Sequence, residues 1–310
     1  MRDPRLSIPY YQLRSSLYNR MRSFGVRRRY FLLGPLLDQL TEQRLFNTLP
    51  ESAQKEIVDT RGTARGPDRV EPIPLFLHIP KCAGSAIGKM FDEKVGPWGW
   101  YKTIERPIDG YRDPKFAYGA NNPKIKMIQG HFDIRFLDVM RRPYKAFTFL
   151  RNPVQRVVSH YYFIREAKEN NYLSGGRLSL GDVFATEHAT EYENFQVRSL
   201  CGKPAGKLTD ADLAQAITAV ETRFAFVGRV ETLNQDAPAL AELFNLRNSV
   251  LEHVNVTRSR PFLSAISKAD LAKIEKNNEF DWALYDHVAS GALDCRVRVD
   301  TRRTRATRAF

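Results

Sequence analysis

The chain alternates short apolar runs with longer segments of helical periodicity. The apolar runs are four or five residues long and do not alternate with polar positions, which is typical of parallel strands buried on both faces. They predict strands at 75–79, 125–128, 146–150 and 224–228. Amphipathic periodicity predicts helices at 35–46, 85–95, 153 to about 169, 211–223, 237–245 and 267–288. Because strands and helices alternate, the pattern predicts an α/β fold with a central parallel sheet flanked by helices.

Composition shifts divide the chain into three parts. The segment 59–74 is rich in Gly, Pro and charge, as linkers are. We therefore predict an N-terminal basic and helical extension with its linker at 1–71, a main domain large enough for an enzyme at 72–292 and a basic tail at 293–310.

Most of the net charge of +13 lies in the two ends of the 310-residue chain. Residues 1–29 carry eight Arg and one Asp, and residues 296–310 carry six Arg and one Asp, which leaves about +1 for the middle. The middle is therefore not a basic nucleic-acid-binding domain. The tails are expected either to touch an anionic surface (membrane, polysaccharide or nucleic acid) or to be solvated ends.

Cysteine usage and hydropathy indicate the compartment. Three widely spaced cysteines argue against a disulfide framework and against a zinc cluster. No apolar run reaches the length of about 18 residues that a membrane span needs. We expect a cytoplasmic protein, either free or peripheral at a membrane surface, with an unknown oligomeric state.

The first predicted strand is followed by "PKCAGS", residues 80–85. Unpaired amides at a helix start bind anions, and the small residues Ala83 and Gly84 let an anion approach the backbone. Lys81 adds a full charge, and Ser85 adds a hydroxyl. The segment is not a Walker A loop, because the Lys precedes the small residues. The alternative is an ordinary turn with a solvent-facing Lys.

The second motif is "FLRNPVQRVVSHYYF", residues 149–163. Asn152 suits a helix N-cap and Pro153 the first helical position. Arg151 ends a strand, so we expect it at the same rim of the sheet as Lys81. Arg156 and Ser159 are three residues apart and share a helix face, which predicts a second anion site. The alternative is a capped amphipathic helix with a surface Arg.

The third motif is "IQGHFDIRF", residues 128–136, where His131 follows a predicted strand through Gly130. A lone His is more often structural than catalytic, but its place at this rim suits a general base. Two anion sites on one rim predict a ligand with phosphates at both ends. No cluster of carboxylates for Mg²⁺ stands beside them, which weakens a nucleoside-triphosphate interpretation.

"HIPKCAGSAI" and "FLRNPVQRVVSHYYF" together resemble the paired cofactor motifs of sulfotransferases, and most closely the carbohydrate group related to heparan sulfate 2-O-sulfotransferase and its bacterial relatives. Further segments of the chain are similar to the same family. They are "QGHFDIRF", "YENFQVRSLCG", "FAFVGRVETL" and "NEFDWALYDHV", and the resemblance spans roughly 73–290.

The resemblance implies a P-loop-like fold and the donor 3′-phosphoadenosine 5′-phosphosulfate, with no metal. It implies catalytic roles for Lys81, which stabilises the leaving phosphate, and for His131, the general base. Donor-binding residues are expected to be Lys81, Cys82, Ala83, Gly84, Ser85, Ala86, Arg151, Ser159, Arg258 and Arg260. Acceptor-binding residues are expected to be His78, Arg165, Lys168 and Arg177.

The chain departs from the family pattern at three motif positions. Cys82 replaces a common Thr, Asn152 replaces a common Asp, and Gln129 stands where the heparan enzyme carries a second His. The disulfides of the heparan enzyme have no counterpart here. Two other functions stay open: a nucleotide-dependent phosphotransferase, and a non-catalytic module that binds polyanions through its tails.

Overall fold

The computed structural model describes residues 71–95, 100–103, 120, 125–166, 172–173, 178–246 and 262–291. The chain divides into two units after Val70, and all described residues belong to the second unit. The predicted helix at 35–46 and both basic tails lie outside the described residues, and the two boundaries between the three predicted parts remain predictions.

The described part of the chain alternates strands, helices and short 3₁₀ turns. The strands are β1 Ile73–Leu77, β2 Trp100–Thr103, β3 Met127–Gly130, β4 Tyr144–Leu150 and β5 Phe226–Arg229. The helices are α1 Gly84–Val95, α2 Pro153–Glu166, α3 Phe195–Cys201, α4 Asp210–Thr222, α5 Leu233–Leu243, α6 Lys268–Lys276 and α7 Glu279–Ala289. The 3₁₀ turns are Ile134–Val139, Val183–Ala185, Ala189–Glu191, Val230–Thr232 and Leu263–Ala265.

The five strands form one parallel sheet in the order β2-β3-β1-β4-β5. The central strand β1 has all five residues buried, as expected for a strand covered on both faces. Leu77 at its end pairs with Gly130 on one side and with Thr148 on the other. The chain adds strands to both sides of β1, and ligands bind at such a switch point in open α/β sheets. The predicted α/β fold with a parallel sheet is confirmed.

Aromatic side chains build the core between the sheet and α1. Phe76 of β1 stacks on Phe147 of β4 with ring centroids 4.8 Å apart. Phe91 of α1 and Phe244 lie 5.6 Å and 5.1 Å from the Phe147 ring. Such pairs add about 0.5–1.5 kcal/mol each beyond their burial. This packing fixes α1, and therefore the loop that precedes it, against the ends of β1 and β4.

The segment 267–288 is helical as predicted, but the structure divides it into two helices, α6 and α7. The break falls at the buried residue Asn278. Its amide Nδ2 donates to the Ile274 carbonyl over 2.9 Å, and its Oδ1 accepts from the Asn194 amide over 2.8 Å. Apolar periodicity runs through both helices and does not reveal this tertiary contact. The sequence also missed α3 and the four-residue strand β2, and it assigned Ile73 and Pro74 of β1 to the linker.

A buried carboxylate joins α7 to the start of α3. Asp281 accepts hydrogen bonds from the amides of Gln196, at 3.1 Å, and Val197, at 2.8 Å. Burial raises the pKa of Asp281 to about 6, so the group is largely ionised at neutral pH. Asn194, just before α3, contacts α7 in turn: its Oδ1 accepts hydrogen bonds from the amides of Phe280 and Asp281. The reciprocal bonds hold Gln196 in place beside the candidate site described below.

Asp281→Ala should lower the free energy of unfolding by about 3 kcal/mol, because it leaves two buried amides without their acceptor. Urea unfolding at neutral pH measures the loss. The matched control is Asp286→Ala, which changes an exposed carboxylate on the same helix and should alter stability by less than about 0.5 kcal/mol. Equal stability of the two variants would contradict the structural role of Asp281.

None of the helices in the described part of the chain combines the length and the hydropathy that crossing a bilayer requires.

Candidate functional site

The loop between β1 and α1 contains two residues with a left-handed backbone. Lys81 and Ala83 have φ of 73° and 61°, a left-handed conformation that costs non-glycine residues energy. The helical ladder begins with the bond from the Ile87 amide to the Ala83 carbonyl, at 3.0 Å. The amides of Gly84, Ser85 and Ala86 therefore precede the first ladder bond, at the positive end of the helix dipole. This geometry supports the predicted anion site.

Cys82 of this loop is turned away from the rim. Its thiol is fully buried, with Sγ 3.9 Å from both the Pro80 carbonyl and Gln196 Oε1. Burial raises the pKa of the thiol to about 12, so it stays protonated. The Cys82 amide donates to the Ile79 carbonyl at 3.0 Å. The structure thus gives no support to the expected donor contact by Cys82, whose thiol packs in the core.

Arg151, at the end of β4, contacts the same loop. Its Nη1 donates to the Lys81 carbonyl at 3.0 Å. The buried side chain of Gln196 holds the Arg151 backbone from both sides, accepting from its amide and donating to its carbonyl, each at 2.9 Å. The sequence placed Arg151 at the rim with Lys81, and the structure brings the two residues together.

The start of α2 is capped as predicted and is held by residues distant in sequence. Asn152 Oδ1 accepts from the Gln155 amide at 3.1 Å, and Pro153 is the first helical residue. The Asn152 amide donates to Glu231 Oε1, and Glu231 Oε2 accepts from the Tyr285 hydroxyl, each at 2.9 Å. Gln196, Glu231 and Tyr285 lie in three segments that only the family resemblance connected with function, and the structure links all three to the backbone of Arg151 and Asn152.

The predicted pairing of Arg156 with Ser159 at an anion site needs correction. Arg156 is fully buried, and its guanidinium donates to the carbonyls of Pro80 and Glu191 and lies 4.2 Å above the Phe195 ring. Arg156 therefore does not lie on the surface, where an anion could reach it. It links α2 to the loop that carries Lys81. Ser159 is 3% exposed, and its contact with a donor stays a prediction.

His131 follows β3, and its ring contacts a second histidine. Nε2 of His131 lies 3.1 Å from Nδ1 of His78, and the ring centroids are 4.7 Å apart. The strand residue Gln129, at the place of the family's second His, donates from Nε2 to the Gly84 carbonyl at 3.2 Å. Two contacts therefore join the end of β3 to the segment that follows β1: Gln129 with Gly84, and His131 with His78.

The Lys81 ammonium lies 3.9 Å from the centroid of the Phe163 ring, in the last turn of α2. Phe163 is 50% exposed, one of three large apolar residues exposed in the described part of the chain. Sequence reasoning missed Phe163; the one available signal was an aromatic residue beyond the packing positions of α2. The contact places Lys81 at an open side of the rim.

The expected acceptor residues are only partly described. Arg165 is exposed, with its guanidinium carbon 6.0 Å from the Tyr162 ring centroid. His78 is half-buried and pairs with His131. The remaining expected ligands lie outside the described residues, namely Lys168 and Arg177 for the acceptor and Arg258 and Arg260 for the donor.

A partly buried polar network, also missed from the sequence, lies next to Ser159. Nε2 of His160 is 3.1 Å from Glu191 Oε2, which also accepts from the Tyr172 hydroxyl at 2.9 Å. Burial, together with the charge of Arg156, lowers the pKa of His160 to about 4, so its imidazole is neutral. Within the described ranges, no group of three or more His, Cys, Asp or Glu side chains is placed to hold a metal ion.

Comparison with known proteins places this arrangement in context. A family model described as the sulfotransferase family matches residues 74–287, more than half of the chain. A solved structure of mouse sulfotransferase SULT7A1 complexed with PAP is similar at 14% identity and a TM-score of 0.30, covering 70% of this chain and 88% of that one. No curated protein matches the sequence.

Proposed function

The chain belongs to the sulfotransferase family, and from that premise we propose that it transfers a sulfuryl group from 3′-phosphoadenosine 5′-phosphosulfate to a hydroxyl of a carbohydrate-type acceptor. His131 is the general base, and no metal ion takes part. The observation that carries the proposal is the meeting of three strand ends: Arg151 bonds the Lys81 carbonyl at 3.0 Å, and His131 lies 3.1 Å from His78 in the same loop.

The residues present fit a ligand with an anion at each end. At one end, the start of α1 offers amides that precede the helical ladder, and Lys81 offers a cation. Gly84 is required at the start of α1 because the His78 ring fills the space that a Cβ would take, 2.0 Å from its Cε1. At the other end, Arg151 and Ser159 are the proposed contacts of the 3′-phosphate. The donor, when bound, supplies a sulfuryl group on a phosphate leaving group.

The chemistry then divides between two side chains. A sugar hydroxyl is a weak nucleophile at neutral pH, so His131 removes its proton as the oxygen attacks sulfur. Lys81 and the amides at the start of α1 stabilise the negative charge that grows on the oxygen between sulfur and phosphate. Arg151 holds the Lys81 carbonyl and so keeps the loop in place.

The carbohydrate acceptor is proposed from the motif resemblance, and an acceptor panel tests it. Purified protein is incubated with radiolabelled donor and one of four acceptor classes: polysaccharide, oligosaccharide, glycolipid or small alcohol. We expect label in at least one saccharide and little in the small alcohol. Label in the small alcohol alone would overturn the carbohydrate assignment while leaving sulfuryl transfer in place.

Arg151→Ala should weaken the binding of adenosine 3′,5′-bisphosphate by about 1.5–3 kcal/mol, the scale of one lost charged hydrogen bond. Calorimetry compares this ligand with adenosine 5′-phosphate, which lacks the 3′-phosphate. The wild type should prefer the bisphosphate, and the variant should lose most of that preference. Arg141→Ala, at an exposed Arg, is the control and should bind as the wild type does. Equal affinity of the wild type for both ligands would contradict the two-anion site.

We further propose that the basic tails act on binding to an anionic surface and not on the chemistry. Deleting 1–29 and 296–310 should leave transfer to a soluble acceptor within a few-fold of wild type. If the deletion abolishes function whereas Lys81→Ala does not, the chain is instead a polyanion-binding module.

A further inference from the structure

We propose that His78 is a positioning residue for His131: its Nδ1 accepts a hydrogen bond from Nε2–H of His131 and thereby leaves Nδ1 of His131 to take the proton of the acceptor hydroxyl. The inference rests on the proposed function, in which His131 is the base. It assigns His78 a role different from the acceptor contact that the sequence predicted.

Backbone and side chain both tie His78 to the end of β3. The His78 amide donates to the Gly130 carbonyl at 2.9 Å, which fixes its register beside the residue that precedes His131. The 3.1 Å contact between His78 Nδ1 and His131 Nε2 then lies within hydrogen-bond distance. Each imidazole is thereby presented to the other by parallel, adjacent strands.

The His78 ring is held in one orientation. Phe76, two residues earlier on the same face of β1, stacks with it at 5.2 Å between centroids and 29° between planes. The backbone of Gly84 packs against another edge of the His78 ring. A Cβ at Gly84 would lie 2.0 Å from Cε1 and 2.1 Å from Nε2 of His78. The ring therefore keeps Nδ1 toward His131 and its Nε2 edge toward the start of α1.

The protonation of His78 follows from its surroundings. Burial lowers the pKa of His78 well below its usual value, and the charges of His131 and Lys81 lower it further. At neutral pH, His78 is therefore a neutral imidazole, with one N–H and one lone pair. The contact then has two possible arrangements, which differ in the direction of the hydrogen bond.

Only one arrangement is compatible with base catalysis. If Nδ1–H of His78 donates, the lone pair of His131 at Nε2 is occupied, its proton lies on Nδ1, and it has no lone pair to offer. If Nδ1 of His78 accepts, His131 carries its proton on Nε2 and a lone pair on Nδ1. After proton transfer, the imidazolium keeps its Nε2–H bond to His78. The third residue of a Ser-His-Asp triad orients its histidine through the same type of contact.

A matched pair of variants tests the acceptor atom of His78. Asn and Leu share a branched shape, but only Asn places an oxygen where Nδ1 stood. His78→Leu should lower turnover about 10–100-fold, the cost typical of losing the partner that orients a metal-bound histidine. His78→Asn should restore most of the loss. Both variants should bind adenosine 3′,5′-bisphosphate within a few-fold of wild type, which separates positioning from donor binding.

Long-range ¹H–¹⁵N NMR of the imidazoles tests the tautomer without any turnover. At neutral pH the wild type should show His131 protonated at Nε2 and not at Nδ1. Protonation of His131 at Nδ1, unchanged turnover in His78→Leu, or equal loss in His78→Leu and His78→Asn would each overturn the proposal. If the wild type transfers no sulfuryl group, the proposed function fails, and the spectrum still decides which way the His78–His131 bond runs.

Discussion

Replacing Lys81 by alanine should reduce sulfuryl transfer at least about a hundredfold while the protein stays folded, the usual scale for losing one charge-stabilising donor. The ammonium lies at the open side of the rim, against Phe163, and is the charge that the loop presents beside the start of α1. In the proposed mechanism, this ammonium is the cation that stabilises the leaving phosphate oxygen, and alanine removes it. Steady-state transfer from radiolabelled donor measures kcat, and circular dichroism checks the fold.

Lys89→Ala is the matched control for this prediction. Lys89 is exposed on α1, the helix that follows the loop, so its loss removes the same charge from the same element. We expect its turnover to stay within a few-fold of wild type. Equal turnover of wild type and a folded Lys81→Ala variant would reject the catalytic assignment of Lys81.

Replacing His131 by alanine should lower turnover about 10²–10⁴-fold, the range for a lost general base, while donor affinity stays within a few-fold. In the wild type, activity should rise with pH as an imidazole loses its proton, and the variant should lose that dependence. His287→Ala serves as a control, since that imidazole pairs with Glu221 between α7 and α4. The control should retain wild-type turnover.

Two other outcomes would identify a different role for His131. Loss of stability and donor affinity together would make His131 a packing residue of the loop. Full activity would mean that a carboxylate is the base, and the candidates are Asp133, beside the His131 motif, and Glu166, just after the motif at 149–163. Asp133 is a poor candidate, because it is buried and accepts from the Arg135 amide, Nε and Nη2 at 3.0, 2.9 and 2.6 Å. Glu166 is exposed at the end of α2 and is the one to test.

The sequence predicts the rim of the sheet well because parallel strands end at one edge. Lys81, His131 and Arg151 each follow an apolar run, and buried parallel strands bring such positions together without any knowledge of the loops. The N-cap at Asn152 depends only on residues next to it in sequence, and this prediction is confirmed.

The contacts that join distant segments could not be predicted. The His78–His131 pair spans 53 residues, and the Gln196 bonds to Arg151 span 45. Arg151 and Arg156 look alike in the motif, yet one ends a strand at the rim and the other is buried against Phe195. Strand pairing and helix packing decide these differences, and the helix break at Asn278 has the same origin.

The central claim is that these three strand ends form one sulfuryl-transfer site, and a single-turnover assay tests it most directly. Excess wild-type protein is mixed with radiolabelled 3′-phosphoadenosine 5′-phosphosulfate and a saccharide acceptor in a metal chelator. A parallel reaction without chelator replaces this donor by labelled ATP and Mg²⁺. The account predicts a sulfate ester of the acceptor with stoichiometric adenosine 3′,5′-bisphosphate, and no phosphorylated acceptor from ATP. A phosphorylated acceptor, or no labelled acceptor from the sulfate donor across all four acceptor classes, would contradict it.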